Sequence, residues 1–341
     1  MMKHKSPFIC SAALLLVLAG CAGKPNAATR TELGLLDTVI TLTVYGDNPE
    51  DSLDRILERT AEIHASMTIY EDSPISALNE AAGQGPQPLP EDVYTLLSAA
   101  QQYAALTGGA FDMTVRPLTR LWGIGTDTAR LPAQPEIDAA LPLIDYTQLG
   151  LDDTTASATL PAGTAIDLGG IAKGYACDQA AEILLECGIP HALLDFGGTI
   201  YAQGSKPDGT LWRIGIRNPV PGGEGHIAVL SLRDKAVVTS GAYERYFMQD
   251  NILYHHIFDP QTGYPAQSGL LSVTIVSSNS TLADALSTAC FVLGKDRGIE
   301  LLGGMEDVEA VFVTEQQEIF ITAGLQDVIA VSSDEYTLVA P

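Results

Sequence analysis

The sequence predicts an α+β fold. Between residues 191 and 275, short apolar and β-branched segments are separated by Gly and Pro turns, which indicates a run of strands. Segments with helical spacing of apolar residues stand before and after this run. Because the strands come in runs and do not alternate regularly with helices, we expect mixed, mainly antiparallel strands with flanking helices and not a doubly wound parallel sheet.

Each expected element has its own local signal. The segment Val39–Tyr45 is β-branched and predicts a strand, whereas 123–135 has the composition of a loop. Asn279 and Gly294 are a suitable cap and stop for the last long helix. We expect helices over 50–66, 90–106, 171–187 and 279–293, and a hairpin from 308–314 and 318–322.

Composition narrows the possible ligands. The chain has 341 residues and a formal net charge of −24, from 42 Asp and Glu against 18 Lys and Arg. This charge excludes a nucleic-acid-binding surface, which requires clustered Lys and Arg. An anionic ligand would need a local positive field from a metal ion, a lysine or a helix N-terminus.

The first 20 residues have the features of an export signal. Lys3 and Lys5 precede an apolar stretch over 12–19, which is too short to span a bilayer. Leu18-Ala19-Gly20-Cys21 resembles the lipobox of bacterial lipoproteins, in which Cys21 would be lipidated. We therefore expect a signal peptide over 1–20, a lipidated tether over 21–31, and an extracytoplasmic protein anchored to a bacterial membrane. The alternative is an ordinary signal peptide followed by a chance cysteine.

Three cysteines remain beyond this segment, at positions 177, 187 and 290. Neither a CxxC pair nor a Cys/His ligand spacing is present, so a zinc site is not supported. We expect free, buried thiols, although one disulfide is also possible.

The segment AIDLGGIAKGYACD suggests an anion site. Asp167 ends an apolar stretch, Gly169-Gly170 permits close backbone approach, and Lys173 stands in the first turn of the next helix. Free N–H groups at a helix start and one ammonium group can together bind phosphate. The alternative is a tight turn with a solvated lysine.

The helix over 279–293 carries Asp284 and Thr288, whose spacing of four places both side chains on one face. A carboxylate and a hydroxyl are hard oxygen ligands suited to Mg²⁺. Alternatively, Asp284 only interacts with the helix dipole and Thr288 bonds back to the backbone.

Two adjacent histidines, His255 and His256, precede a turn at Asp259-Pro260. Strand alternation would point them to opposite faces, so that only one could act as a base in a site. A structural role for that histidine is the alternative. Phe111 and Trp122 could flank a planar ring or lie in the core.

Six segments occur in a characteristic order: MTIYEDSPISALN, GGAFDMTVRPLTRLWG, IDLGGIAKGYACD, LLDFGGTIYAQG, YHHIFDPQTGYP and ADALSTACFVLG. Over essentially the whole mature chain, this order resembles the ApbE family of FAD:protein FMN transferases. The resemblance implies a single domain over 32–341. It also implies Mg²⁺-dependent cleavage of the FAD pyrophosphate, transfer of FMN to a Thr or Ser of a target protein, and release of AMP.

The resemblance also implies roles for particular residues. Asp284 and Thr288 would bind Mg²⁺ through their side chains, and Gly170 would bind it through its backbone carbonyl. His256 would take the proton of the target hydroxyl. Contacts to FAD would come from Tyr70, Ala110, Phe111, Asp112, Asp167 and Lys173.

One segment departs from the family pattern. Many relatives carry Met-Gly-Thr near the first strand, with the Met against the ligand, and Leu36-Asp37-Thr38 is the equivalent here. Leu36 keeps the apolar bulk, so we expect it to contact the ligand.

Expected acceptors, by resemblance, are exported FMN-binding-domain proteins or flavoprotein subunits of membrane redox pumps, such as the sodium-pumping NADH:quinone oxidoreductase and its Rnf relatives. Two alternatives share the same site residues. One is an FAD pyrophosphatase that uses water as the acceptor, and the other is a flavin-binding lipoprotein without catalytic activity.

Overall fold

The computed structural model describes residues 26–339. Within them, the chain forms eight α-helices: α1 (Pro49–Met67), α2 (Pro74–Glu80), α3 (Glu91–Leu106), α4 (Arg116–Trp122), α5 (Gln134–Ala140), α6 (Ala172–Glu186), α7 (Ser280–Leu293) and α8 (Lys295–Leu302). The strands are β1 (Ala27–Leu33), β2 (Val39–Tyr45), β3 (Gln87–Pro88), β4 (Gly150–Asp152), β5 (Ser157–Thr159), β6 (His191–Phe196), β7 (Thr199–Gln203), β8 (Trp212–Arg217), β9 (His226–Leu232), β10 (Lys235–Gly241), β11 (Tyr246–Gln249), β12 (Ile252–His255), β13 (Leu270–Ser277), β14 (Val308–Thr314), β15 (Glu318–Ile321), β16 (Ile329–Val331) and β17 (Thr337–Val339).

A nine-stranded sheet organises the molecule, in the order β1-β2-β6-β7-β10-β13-β14-β15-β17. Its neighbours pair antiparallel, except for the last pair, β15 and β17, which is parallel. Two three-stranded sheets, β16-β9-β8 and β3-β5-β4, and the hairpin β11-β12 complete the strands. The mixed, mainly antiparallel α+β fold predicted from the sequence is confirmed.

The central sheet is covered on both faces. On β10, Ala236 and Val238 belong to an apolar cluster with Leu286 and Phe291 of α7, whereas Val237 packs with residues of β8 and β9. Because successive side chains of a strand point to opposite faces, this alternation places helices on one face and the small sheet β16-β9-β8 on the other. Such burial on both faces explains why the central strands have continuous apolar sequences.

Helices α6 and α7 cross at very close range. An added Cβ at Gly174 would lie 2.3 Å from the Ser280 carbonyl oxygen, so only glycine permits this approach. α7 also packs on β10 and β13, and α6 packs on α1. The central sheet therefore fixes α7, and α7 fixes the first turn of α6.

Most predicted elements are confirmed, with small shifts at their ends. The strand Val39–Tyr45 and the hairpin β14-β15 occur as expected. Pro90 stands immediately before α3, which begins at Glu91, and α5 begins at Gln134, within the segment predicted as a loop.

The N-terminal boundary of the domain differs from the prediction. The expected tether extended to residue 31, but Ala27–Leu33 forms the edge strand β1, which pairs with β2 over its whole length. The sequence did not predict this strand because its residues are mostly polar, as an edge strand buries little apolar surface. Ala28 is its buried side chain, and Thr29 and Thr31 contact threonines of β2. The predicted signal peptide and Cys21 lie outside the described residues.

The three cysteines of the domain are free thiols, as expected. Cys177 and Cys290 are buried and Cys187 is half-buried. In residues 26–339, no helix combines the length and the apolar character that crossing a bilayer requires.

Candidate active site

A cleft of about 860 Å³ opens beside the N-terminal half of α7. Its walls come from the turn before β2, the start of α4, the first turn of α6, one face of α7 and the segments that flank the hairpin β11-β12. The structure places eleven residues predicted for the site in this lining: Leu36, Tyr70, Ala110, Phe111, Asp112, Asp167, Gly170, Lys173, His256, Asp284 and Thr288.

Asp284 lies where α7 meets the first turn of α6. Its side chain is only 4% exposed, and its Oδ2 accepts a hydrogen bond of 2.9 Å from the backbone N–H of Gly174. The other oxygen, Oδ1, lies 3.7 Å from Lys173 Nζ. Asp284 therefore interacts with the N-terminus of α6 and not with that of its own helix. One carboxylate oxygen remains directed toward the ammonium group and the cleft.

Thr288 and Gly170 complete a set of hard oxygens beside Asp284. Thr288 is one turn further along the same face of α7. A Cβ added to Gly170 would be 3.5 Å from Thr288 Oγ1 and 3.3 Å from the ring of Phe111. Gly170 therefore lies beside the Thr288 hydroxyl.

This donor set fits Mg²⁺ better than a softer metal. Within residues 26–339, no group of three or more His, Cys, Asp and Glu side chains is arranged to hold a metal ion. A cation here would therefore rest on one carboxylate and on neutral oxygens from a hydroxyl and a carbonyl group. Mg²⁺ binds in this way because it keeps several waters and takes its remaining ligands from phosphate.

Asp167 and Lys173 have different local roles. Asp167 accepts from the Gly169 N–H at 3.0 Å and from the Thr119 hydroxyl at 3.1 Å, so its carboxylate builds the turn that precedes α6. Lys173 is half-buried, and its Nζ donates to the Gly169 carbonyl at 3.3 Å. Residues 167–173 therefore form the turn before α6 and also place one ammonium group at the wall of the cleft.

The structure separates the two histidines. His255 ends β12 and is buried; its Nε2 contacts the Ala266 carbonyl at 2.9 Å and its Nδ1 accepts from the Ile257 N–H at 3.2 Å. Both ring nitrogens of His255 are therefore used in structural bonds. His256 follows the strand and lines the cleft.

The hydrogen bonding of His256 fixes its tautomer. Its Nδ1 lies 3.3 Å from the backbone carbonyl of Arg245, and a carbonyl can only accept. Nδ1 therefore carries the proton, and Nε2 keeps the lone pair that a general base needs. Burial and the nearby Arg245 guanidinium lower the pKa of His256 to about 3, so the ring is neutral at physiological pH.

Four arginines that the sequence analysis did not single out also line the cleft: Arg116, Arg120, Arg217 and Arg245. They come from α4, β8 and the loop after β10, and only the tertiary structure brings them to one cleft. The cleft therefore holds arginine side chains in addition to Lys173, which was the one cationic residue predicted for the site. The alternation Arg213-Ile214-Gly215-Ile216-Arg217 was the one available signal, because it places both arginines on the face opposite the buried isoleucines.

The aromatic residues divide between the core and the cleft. Trp122 is fully buried, packs against Tyr254 and Phe258, and donates from Nε1 to the Gly263 carbonyl at 3.0 Å. Phe111, in contrast, is buried under the cleft beside Gly170. Tyr70 stands at the rim, 57% exposed.

Burial raises the pKa of three carboxyl groups that line the cleft. Asp112 is held by the Thr114 N–H and hydroxyl and by the Tyr146 N–H, yet desolvation still raises its pKa. Burial also raises the pKa of Asp195 and of Glu244, two cleft residues that were not predicted for the site. Lys173 and Arg245 oppose this effect at Glu244.

The departure at Leu36-Asp37-Thr38 has a backbone explanation. Leu36 and Asp37 both adopt left-handed conformations, with φ of 52° and 55°. This region favours glycine, and aspartate tolerates it better than most other residues. Asp37 thus occupies the position at which the family pattern has glycine. Leu36 lines the cleft, and its contact with the ligand stays a prediction.

Comparisons with known proteins agree with this geometry. The chain matches the ApbE family over residues 36–312. It is 35% identical to a FAD:protein FMN transferase of Treponema pallidum, covering 95% of this chain and 96% of that protein. A crystal structure of the ApbE protein of Thermotoga maritima superposes with a TM-score of 0.83 at 36% identity, covering 89% of this chain and 99% of that chain.

A second solved structure, the apo flavinyl transferase ApbE of Pseudomonas stutzeri, has a TM-score of 0.77 at 31% identity and covers 88% and 95% of the two chains. The curated relatives are named as transferases. The extent of these matches, together with the six ordered motifs, shows that the chain belongs to the ApbE family.

Proposed function

We propose that this protein transfers the FMN moiety of FAD to a Thr or Ser hydroxyl of another protein, with Mg²⁺ and with release of AMP. One observation carries the proposal: a neutral histidine whose Nε2 keeps its lone pair shares a cleft with a half-buried lysine, a buried carboxylate and the half-buried hydroxyl one turn beyond it. The names of the curated relatives support the same reaction.

The residues of the chain supply what such a transfer needs. The acceptor oxygen forms a bond to the phosphorus of the FMN phosphate as the bond from that phosphorus to the oxygen leaving with AMP breaks. Nε2 of His256 takes the proton of the attacking hydroxyl. Lys173 and the arginines of the lining offset the charge of the diphosphate, which is otherwise repelled by this acidic chain.

Asp284, Thr288 and the carbonyl of Gly170 are the groups that would hold Mg²⁺. When bound, the ion would supply further neutralisation of the charge that spreads over the phosphoryl oxygens. The contacts of Asp284 with the Gly174 N–H and with Lys173 orient the carboxylate for this role.

We further propose that the mature protein is extracytoplasmic and anchored to a bacterial membrane through lipidated Cys21. The order of basic flank, apolar stretch and lipobox supports this placement. The acceptor would then be an exported FMN-binding-domain protein or a flavoprotein subunit of a membrane redox pump. Replacement of Cys21 by Ala should release the protein from the membrane fraction of the cells that express it.

The reaction is tested by incubating the protein with FAD, Mg²⁺ and a purified acceptor that carries a flavinylation motif. Covalent fluorescence on the acceptor, a mass increase equal to one FMN, and equimolar AMP are the expected result. An acceptor whose motif Thr is replaced by Ala serves as the control and should stay unlabelled.

Two other outcomes would contradict the proposal. Formation of AMP and free FMN without a labelled acceptor would identify a pyrophosphatase with water as the acceptor. Retention of FAD without any AMP at any Mg²⁺ concentration would identify a flavin-binding protein.

A further inference from the structure

We propose that Asp178 is a positioning residue for the cation site, because it fixes the start of α7 against α6 and thereby sets the place of Asp284 and Thr288. This inference rests on the proposed function. Asp178 does not line the cleft, and it is not among the residues to which the sequence analysis gave a role.

Asp178 holds the first turn of α7 with both carboxylate oxygens. Oδ1 accepts from the Ser280 N–H at 2.8 Å, and Oδ2 accepts from the Thr281 N–H at 2.8 Å and from the Thr281 hydroxyl at 2.5 Å. The side chain of Asn279 accepts from the Leu282 N–H at 2.7 Å. The first three N–H groups of α7 are therefore bound by side chains, two of them by a residue of another helix.

The start of α6 is capped in the same way, with the roles of the two helices exchanged. Its N-cap residue, Ile171, provides no side-chain cap, and the Gly174 N–H in the first turn is bound instead by Asp284 of α7. Each helix thus carries a carboxylate that caps the other. Both carboxylates are favourably placed with respect to the positive end of the helix dipole that they contact.

The crossing point lies between the two carboxylates. Asp178 is four residues after Gly174, and Asp284 is four residues after Ser280, so each is one turn beyond the contact of Gly174 with Ser280. A shift of α7 along α6 would break both caps together. Lys173 lies in α6 and Gly170 just before it, whereas Asp284 and Thr288 lie in α7. The two caps therefore set the distance between the site residues of α6 and those of α7.

If this is correct, the loss of Asp178 should weaken cation binding without removing a cation ligand. Residues that orient metal ligands typically change metal affinity by about 10- to 100-fold when they are replaced. We therefore expect Asp178→Ala to raise the dissociation constant of Mn²⁺, used as a probe in place of Mg²⁺, by about 10-fold or more. FAD binding without metal should change little, because Asp178 does not line the cleft.

The experiment measures free Mn²⁺ by electron paramagnetic resonance in titrations of the full protein with FAD. Asp208→Asn is a matched control: Asp208 also accepts from a threonine N–H and hydroxyl, at 2.9 and 2.6 Å, but in the loop between β7 and β8. It should bind Mn²⁺ like wild type. Turnover of Asp178→Ala should recover at high Mn²⁺, because the reacting groups are intact.

Asp178→Asn decides the question if Asp178→Ala does not fold. Asn keeps one acceptor oxygen but turns an NH₂ group toward the remaining donors, so its Mn²⁺ affinity should also be lower than that of wild type. The proposal is overturned if the folded variants bind Mn²⁺ within about twofold of wild type, whatever their melting temperatures. If wild type itself binds no Mn²⁺ in the presence of FAD, the proposed cation site is wrong, and with it this role of Asp178.

Discussion

The contact between α6 and α7 predicts a large effect of the substitution Gly174→Ala. A new Cβ would lie 2.3 Å from the Ser280 oxygen and 2.8 Å from the Thr281 Cα, where real Cβ contacts are not shorter than 3.0 Å. All of these neighbours are backbone atoms, so no side chain can rotate away. The helices would have to separate by at least 0.7 Å at this point.

Two opposing effects determine the size of the change. Alanine is a better helix former than glycine and would stabilise α6 by about 1 kcal/mol at most. Overpacking costs about 1–3 kcal/mol, and loss of the hydrogen bond from the Gly174 N–H to the Asp284 carboxylate costs about 1.5–3 kcal/mol. The free energy of unfolding should therefore fall by about 2 kcal/mol or more.

Urea unfolding followed by circular dichroism measures this change. Gly303→Ala is the matched control, because Gly303 ends α8 with a helical φ of −62° and its new Cβ would be at 3.4 Å from its nearest neighbour. The control should be as stable as wild type or up to about 1 kcal/mol more stable. If Gly174→Ala has wild-type stability and normal Mg²⁺ dependence, the close crossing of the two helices is not required and the reasoning is wrong.

Four further predictions concern the site. Asp284→Ala should abolish Mg²⁺-dependent turnover, measured as AMP release, because it removes the single carboxylate of the cation site; wild-type rates would remove that assignment. His256→Ala should lower the rate of FMN transfer far more than it weakens FAD binding by fluorescence titration, and an effect on affinity alone would contradict the role as base. His256 should also affect the pH dependence of stability: its pKa is about 3 in the folded protein and about 6.5 when unfolded, so the unfolded chain binds more protons between these values. The unfolding free energy should therefore drop more steeply with acidification below about pH 6.5 in wild type than in His256→Gln, and equal slopes would be inconsistent with a lowered pKa. Finally, Asp37→Gly should raise the melting temperature by relieving a φ of 55°, with a stabilisation of up to about 1 kcal/mol; a lower melting temperature would show that the aspartate side chain matters more than its backbone.

Much of the site could be predicted because its parts are local in sequence. The spacing of four between Asp284 and Thr288 fixes them on one helix face wherever that helix lies, and the Gly-Gly turn before α6 places Lys173 near a helix start. The expected separation of His255 from His256 also occurs, although His256 lies just beyond the end of β12. These statements depend on backbone periodicity alone, so they needed no knowledge of neighbouring elements.

Other features could not be predicted because they are made by contacts between distant segments. Nothing in the sequence near Arg116 or Arg217 indicates that α4 and β8 meet at one cleft. The family resemblance indicated His256, but the tautomers of the two histidines depend on the Ala266 and Arg245 carbonyls, which contact the rings from other segments. The edge strand β1 was missed because it buries little apolar surface.

The sequence by itself therefore determined the fold class, the order of the motifs and the chemistry available on each element, since composition and periodicity act within a few residues along the chain. The tertiary structure alone decided how these elements meet: the approach of Gly174 to Ser280, the caps that Asp178 and Asp284 exchange, and the arrival of four arginines at the cleft. The reason is physical, because packing and hydrogen bonding between helices depend on distances that no local pattern of residues encodes.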